Sequence, residues 1–237
     1  MNSLDNRRVL IIGGSSGIGL AVAAATADTG ASVTIASRNG EKLREAAAKL
    51  VGAVDVAVLD TSDNSLIELF FRQQEPWDHI VVSAAQTKGG SVRDLSLTEA
   101  KGSMESKFWG AYRIARAARI NDYGSLTLIS GFLSVRPSAT AVLQGAINAA
   151  LEALARGLAL ELAPIRVNAV APGVIETPLW SDMSSEKRKT MFEDTASRLP
   201  VRRIGQPEDV ANAVLFLMTT SYATGSTVRV DGGAVIA

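Results

Sequence analysis

The sequence predicts an α/β fold: a parallel β-sheet, doubly wound, with helices on both faces. Three observations carry this reading. Strand-length runs of Val and Ile, such as Arg8–Ile12 and His79–Ser83, lack the polar alternation of a half-exposed strand, which marks strands covered on both faces. Helix-length stretches rich in Ala and Leu separate those runs, and parallel strands need crossovers of that kind. A glycine-rich turn, Gly13 to Gly19, sits between the first strand and the first helix, where doubly wound sheets bind phosphate groups.

The elements follow in order. Arg8–Ile12 is the first strand, followed by a helix from Gly17 to Thr29. Ser32–Ala36 is the second strand, and Glu41–Leu50 is an Ala-rich helix with Glu41 and Arg44 on its polar side. Val54–Leu59 is the third strand, Ser65–Gln73 a helix, and His79–Ser83 the fourth strand. A long helix covers Thr98–Asn121, then come a strand at Ser125–Ile129 and a second long helix over Ala141–Ala163. Ile165–Val170 and Thr227–Val230 are the last strands, with a helix over Pro207–Met218 between them. No linker-like shift or internal repeat interrupts the chain, so residues 1–237 are expected to form one domain. The polar stretch Trp180–Arg198, inside an insertion at 178–205, reads either as a solvated helix or as a mobile lid over a site.

Composition narrows the function classes. Apolar residues make up 47% and charged residues 20%, ample for a core. The formal net charge is zero with no basic run, so no nucleic-acid partner is expected. There are no cysteines and hence no thiol chemistry. The opening MNSLDNRRVLIIGG lacks the apolar core of a secretory signal, and no run approaches the ~18 apolar residues of a membrane span. A cytoplasmic protein without membrane contact is expected. His79, the only histidine, has no neighbour at metal-ligand spacing, so a structural or surface role is expected and no metal site.

The turn Gly13-Gly14-Ser15-Ser16-Gly17-Ile18-Gly19 suits a dinucleotide pyrophosphate. Glycine permits positive φ and close backbone approach, and the helix N-terminus behind it attracts anions. A second signal is Ala36-Ser37-Arg38-Asn39, at the end of the second strand. An acidic residue there would accept bonds from a ribose 2′-hydroxyl and repel a 2′-phosphate. Ser37 removes that charge, and the Arg38 fork suits phosphate oxygens. The cofactor expected is therefore NADP(H), although Arg38 also reads as a solvated turn residue.

The motifs GGSSGIG at 13–19, LDTSD at 59–63, IRVNAVAPGVIETP at 165–178, GQPEDVANAVLFL at 205–217 and VDGG at 230–233 span nearly the whole chain. With them the sequence resembles the short-chain dehydrogenase/reductase family. The resemblance implies a Rossmann-type, seven-stranded parallel sheet of order 3-2-1-4-5-6-7, a small-molecule substrate, and a homodimer or homotetramer built on the two long helices. It places Asp60 and Thr61 beside the adenine, and Ser83, Ala84 and Ala85 where relatives often read Asn-Asn-Ala. It puts Pro172, Gly173, Val174 and Thr177 in the Pro-Gly-x-x-x-Thr segment that orients the nicotinamide carboxamide.

The same resemblance exposes a departure. The family's chemistry depends on a Tyr-x-x-x-Lys pair, yet residues 124–160 contain neither Tyr nor Lys. Matching the second long helix puts Gln144 at the Tyr position and Asn148 at the Lys position. Gly131 takes the Ser position with Ser130 beside it, and Lys107 takes the Asn position. Gln144 can donate a hydrogen bond but cannot release a proton. Asn148 can still bond ribose hydroxyls but carries no charge.

Losing a positioned general acid forfeits ~10²–10⁴ in rate, a deficit that matters less for an activated carbonyl or quinone. Lys107 reads either as a replacement cation facing the site or as a solvated lysine paired with Glu105 or Glu161. Ser134 and Arg136, after the fifth strand, are further substrate contacts in prospect. Phe108 and Trp109 are expected in the core or a subunit interface. The small face Gly145, Ala149, Ala153 and Gly157 suits either a dimer or packing within one subunit. The favoured function is an NADP(H)-dependent oxidoreductase with a non-standard site. The alternatives are a catalytically silent NADP(H)-binding sensor or partner subunit, and an enzyme of the same fold without net redox chemistry.

Overall fold

The computed structural model describes residues 4–52 and 54–237. Its strands are β1 (Arg8–Ile12), β2 (Ser32–Ser37), β3 (Val54–Val58), β4 (Trp77–Val82), β5 (Ile120–Ile129), β6 (Arg166–Pro172) and β7 (Thr227–Val230). The helices are α1 (Gly17–Ala27), α2 (Gly40–Ala47), α3 (Asn64–Gln73), α4 (Leu97–Met104), α5 (Gly110–Ala117), α6 (Val142–Glu161), α7 (Ser185–Arg198) and α8 (Pro207–Thr219). Among the described residues the strands form one seven-stranded parallel sheet, ordered β3-β2-β1-β4-β5-β6-β7. This is the predicted architecture and order.

The central strands are buried on both sides because they alternate apolar residues toward two cores, while the edge strand β3 is largely exposed. Leu10, Ile12, Ile80, Leu126 and Leu128 pack with Ile67 and Phe71 of α3, Ile114 of α5 and Leu151 of α6. Val9, Ile11, Val33, Ile35 and Val81 pack with Val22 of α1, Leu43 of α2 and Val214 and Leu217 of α8 on the other face. Each such side chain, fully buried, contributes ~1.5–3 kcal/mol of transfer free energy. Helix starts are set by short polar side chains. Asn39 accepts from Lys42 N, Asp63 accepts from Leu66 N, and Ser96 and Glu99 cap α4 reciprocally.

The largest boundary differences from the sequence reading lie around β5. The first long helix ends at Ala117, and β5 begins at Ile120 instead of Ser125. Its first residue pairs with Trp77, and the register then shifts so that Ser125 meets His79. The turn-forming residues Asn121, Asp122, Tyr123 and Gly124 absorb the irregularity, with Tyr123 at φ 64°. The polar stretch before Arg198 is an ordered, largely exposed helix, α7, capped by Ser184.

Arg166 and Asn168 of β6 explain the Arg-Val-Asn motif. Buried Arg166 donates to the Leu217 (2.6 Å) and Met218 (2.8 Å) carbonyls, ending α8. Asn168 donates to Ala223 O (2.9 Å) and accepts from Ser226 N (3.0 Å), fixing the approach to β7. Among the described residues, no helix is long and apolar enough to cross a membrane.

His79 is buried in the sheet, with Nδ1 2.8 Å from Ser125 Oγ. Desolvation, aided by the Arg166 charge, pushes its pKa down to about 4. The unfolded chain, with His79 near its ordinary value, takes up the proton first. Stability from neutral His79 is therefore complete above pH ~6.5 and lost as pH falls toward 4, by up to about 3 kcal/mol. Urea unfolding at pH 7.5 and pH 4.5 should show that loss, and His79→Gln should flatten the dependence.

Candidate functional site

The C-terminal ends of β1, β4, β5 and β6 open onto one crevice, where doubly wound sheets bind ligands. At its floor the chain turns sharply from β1 into α1. Gly13 N bonds to Ala36 O at 2.7 Å, and Ser83 N bonds to Ile12 O at 2.8 Å. Gly13 has φ 89°, and a Cβ there would lie 2.5 Å from Ala84 N. Gly19 backs onto the same turn, with a Cβ position 2.2 Å from Gly13 O. Ser16 precedes α1 without a side-chain cap, so the first amides of the helix are not satisfied locally by its hydroxyl. Ser15 and Ile18 flank that uncapped start. The turn is a tight backbone cradle at an uncapped helix start, and such helix starts attract anions.

Three further segments lie near the cradle. Ser37 ends β2 with its hydroxyl oxygen buried and unpartnered, beside exposed Arg38. Asp60 accepts from Ser62 N (2.9 Å) and Ser62 Oγ (2.8 Å), and those bonds and nearby Arg38 hold its carboxyl below the usual range. Thr61 lies under Gly110, whose Cβ position is 3.0 Å from Thr61 Oγ1. Beyond β6, Gly173 N bonds to Val230 O at 2.9 Å, and Val174 O accepts from Gly205 N at 3.1 Å. That fold brings Thr177 against the start of α1, its Cβ 3.3 Å from the position a Gly17 Cβ would take.

Three of the four tetrad-equivalent positions, Lys107, Gly131 and Asn148, meet at the end of β5, while Gln144 reaches the loop after β4. Between α4 and α5 the chain forms a single π turn, Glu105–Trp109, with Gly110 N bonded to Glu105 O. Such turns interrupt α-helices often at functional sites, and this one carries Lys107. The Lys107 ammonium donates to Ser130 O at 2.8 Å and to Asn148 Oδ1 at 2.7 Å. Desolvation pulls its pKa down to about 8. Asn148 is buried, and its amide lies against Gly131, where a Cβ would stand 2.6 Å from Nδ2. Gln144 Nε2 donates to Thr87 Oγ1 at 3.2 Å.

Comparison with known proteins sets this geometry in context. The family model described as enoyl-(acyl carrier protein) reductase matches residues 13–235. The chain belongs to the short-chain dehydrogenase/reductase family. The Stachybotrys chlorohalonatus short-chain dehydrogenase/reductase ATR9 is 34% identical over 256 residues, covering 100% of both chains. A solved small-chain dehydrogenase in complex with NADPH is 36% identical, with a TM-score of 0.84 over 98% of this chain and 100% of that one. An NADPH-bound short-chain oxidoreductase from Pseudomonas aeruginosa PAO1, described as containing an atypical catalytic center, is 27% identical. Its TM-score is 0.88, and the match covers 96% of each chain.

Within this short-chain dehydrogenase/reductase several expectations need revision. The Ser130 hydroxyl is buried between Glu152 Oε1 (3.1 Å) and Val170 O (3.2 Å). Its carbonyl, not its hydroxyl, takes part in the constellation. Lys107 pairs with neither Glu105 nor Glu161; Glu105 pairs with Arg113. Arg136 donates to the carbonyls of Ala234 and Ala237, so it ties down the last segment rather than facing a ligand. Ser134 keeps a buried, unpartnered hydroxyl. The small face of α6 divides: Gly145 packs on Leu133 O (2.8 Å for a Cβ), while Gly157 has nothing within 4 Å.

Sequence reasoning missed Glu152, Thr87, Ser103 and Ser106. Ser106 Oγ accepts from Gln86 N (2.8 Å) and Ser103 Oγ from Lys88 N (3.0 Å), pinning the loop after β4. Glu152 had a signal. It continues Gln144 and Asn148 at four-residue spacing, a polar stripe on an otherwise Ala/Leu helix.

The cradle makes a contrast testable by denaturant unfolding. Gly13→Ala should cost about 1–3 kcal/mol or more, since φ and backbone contact both oppose it. Gly157→Ala, mid-helix and unobstructed, should be neutral or stabilising by up to about 1 kcal/mol.

Proposed function

We propose that the protein is an NADP(H)-dependent oxidoreductase reducing an activated carbonyl or quinone, with Lys107 as the group that meets the developing oxygen charge. One observation carries the reading: the Lys107 ammonium sits between Ser130 O and Asn148 Oδ1 at the end of β5. An ammonium has three donors, so one N–H remains for a ligand.

The residues fit the cofactor. A Cβ would fill the cradle at Gly13, and the Ser37 hydroxyl is buried without a partner. Gly13, Ser15, Ser16, Gly17, Ile18 and Gly19 would hold the pyrophosphate, and Ser37 and Arg38 a 2′-phosphate. Asp60, Thr61 and the Ser83–Ala85 strand end would border the adenosine half. Pro172, Gly173, Val174 and Thr177 would orient the carboxamide, and the Asn148 amide would face the ribose. NADPH, when bound, supplies the hydride. The NADPH-bound relatives support this assignment.

Lys107 then holds the proton. An amine of pKa about 8 is mostly protonated at neutral pH and can polarise an oxygen or release a proton to it. Gln144, with one N–H tied to Thr87, can donate a hydrogen bond but no proton. The substrate favoured is therefore one whose oxygen needs little protonation before reduction. A homodimer or homotetramer on the long helices belongs to the same reading, supported by the exposure of Trp109, Tyr112 and Leu160. Helix α7 and the turn before it would form the lid.

A second reading, a silent NADP(H)-binding sensor or partner subunit, is favoured by the engagement of Gln144 with Thr87. NADPH oxidation against quinones, diketones and simple ketones separates the two. Turnover with some activated acceptor is expected; tight NADPH binding with no turnover on any of them would support the sensor.

Lys107→Met should lower kcat by ~10²–10⁴, and wild-type reduction should decline as pH rises through about 8, where Lys107 loses its proton. Arg38→Ala should weaken NADPH binding by roughly 10- to 150-fold, the worth of a charge-assisted phosphate contact. NADH titration of the same variant should show little change.

A further inference from the structure

Gly131 has an ordinary extended backbone, φ 165°, so strain does not call for a glycine there. Space does. A Cβ at 131 would approach Asn148 Nδ2 to 2.6 Å and Asn148 Cγ to 3.3 Å. Nor can the amide readily give way. Asn148 is buried on α6, and its oxygen is fixed by the bond from Lys107. A lysine only donates, so Oδ1 must face it and Nδ2 must face Gly131. The absent side chain at 131, the amide at 148 and the amine at 107 thus occupy one continuous space.

We propose that Gly131 and Asn148 are positioning residues for Lys107: the amide holds the amine in the crevice, and the bare Cα of Gly131 makes room for the amide. The three positions work only as a set. Restoring a side chain at 131, even the serine of the family pattern, would displace Asn148 and take an acceptor from the amine, which Ser130 O still holds in place. A lysine at 148 would set a second ammonium against the first, at a cost that grows with burial.

Other groups facing Lys107 leave this unit as its main control. On its own helical run Glu105 is taken by Arg113. On α6 the carboxylate of Glu152 is bonded to Ser130 Oγ. From β5 only the Ser130 carbonyl reaches the amine among the contacts described. The strength of the Asn148 bond therefore sets how readily Lys107 keeps its proton.

This inference rests on the proposed role of Lys107, but its test reads the amine itself and needs no substrate. Competitive labelling of the intact protein with acetic anhydride across pH 6–11, followed by peptide mass spectrometry, gives the titration midpoint of Lys107. Asn148→Leu removes an acceptor of the charged form, so the midpoint should fall by about one pH unit. Gly131→Ala should shift it in the same direction by a similar amount, although alanine at 131 cannot bond the amine. The double variant should move no further than either single one.

Asn148→Asp should raise the midpoint by about one to three pH units, and it serves as the second probe if Gly131→Ala does not fold. An unchanged midpoint in Gly131→Ala, or additive shifts in the double variant, would overturn the proposal. So would Asn148→Asp leaving Lys107 unmoved. Loss of turnover in Lys107→Met is a separate result. If turnover survives but the labelling pattern appears, the catalytic role fails and the interlock stands.

Discussion

A lysine drawn out of water must find oxygen acceptors, and the rest of this site is arranged around meeting that demand. Lys107 finds two: a carbonyl at the end of β5 and an amide on α6. Neither is ionised, so the bonds offset only part of the desolvation that weakens its hold on a proton. A carboxylate partner would have kept the amine fully charged and inert. Neutral acceptors leave it poised near physiological pH, which suits proton exchange with a reacting oxygen.

That arrangement reaches back into the fold. The π turn at Glu105–Trp109 carries the lysine along a helical run that must also pass close to Thr61, where Gly110 gives clearance. Ser103 and Ser106, on the same run, pin the loop after β4 through backbone amides. Gln144 ties that loop to α6, and Gly90 N bonds to Thr140 O at 2.7 Å. The wall beside Lys107 is therefore held by polar contacts from two helices. Rigidity of this kind matters because misplacement by ~1 Å can cost about 10²-fold in rate.

Sheet and cradle were legible in the sequence because local chemistry dictates them. Val and Ile runs need cover on both faces, and Gly13 and Gly19 stand where backbones meet too closely for any other residue. The Asn-Asp-Tyr-Gly stretch, whose composition disfavours a helix, lies inside β5 beyond the helix end at Ala117. The contacts of Lys107 were not legible. They depend on a π turn and on where two distant elements place a carbonyl and an amide, and no spacing rule encodes either. Ser130 shows the same limit: its hydroxyl turns inward to Glu152, which only the packing of α6 against β5 decides. The membership of Glu152 in the Gln144–Asn148 stripe could have been read from its spacing alone.

A cage of neutral acceptors holds the Lys107 amine at the end of β5 in this short-chain dehydrogenase/reductase. A crystal structure of the NADPH complex tests it most directly, through the distance from Lys107 Nζ to the nicotinamide ribose and the space above its ring. Nζ is expected to keep Ser130 O and Asn148 as partners and to lie within ~3 Å of a ribose hydroxyl or of a substrate oxygen. A Lys107 side chain turned to the outer surface, or a tyrosine from elsewhere filling the spot, would contradict it.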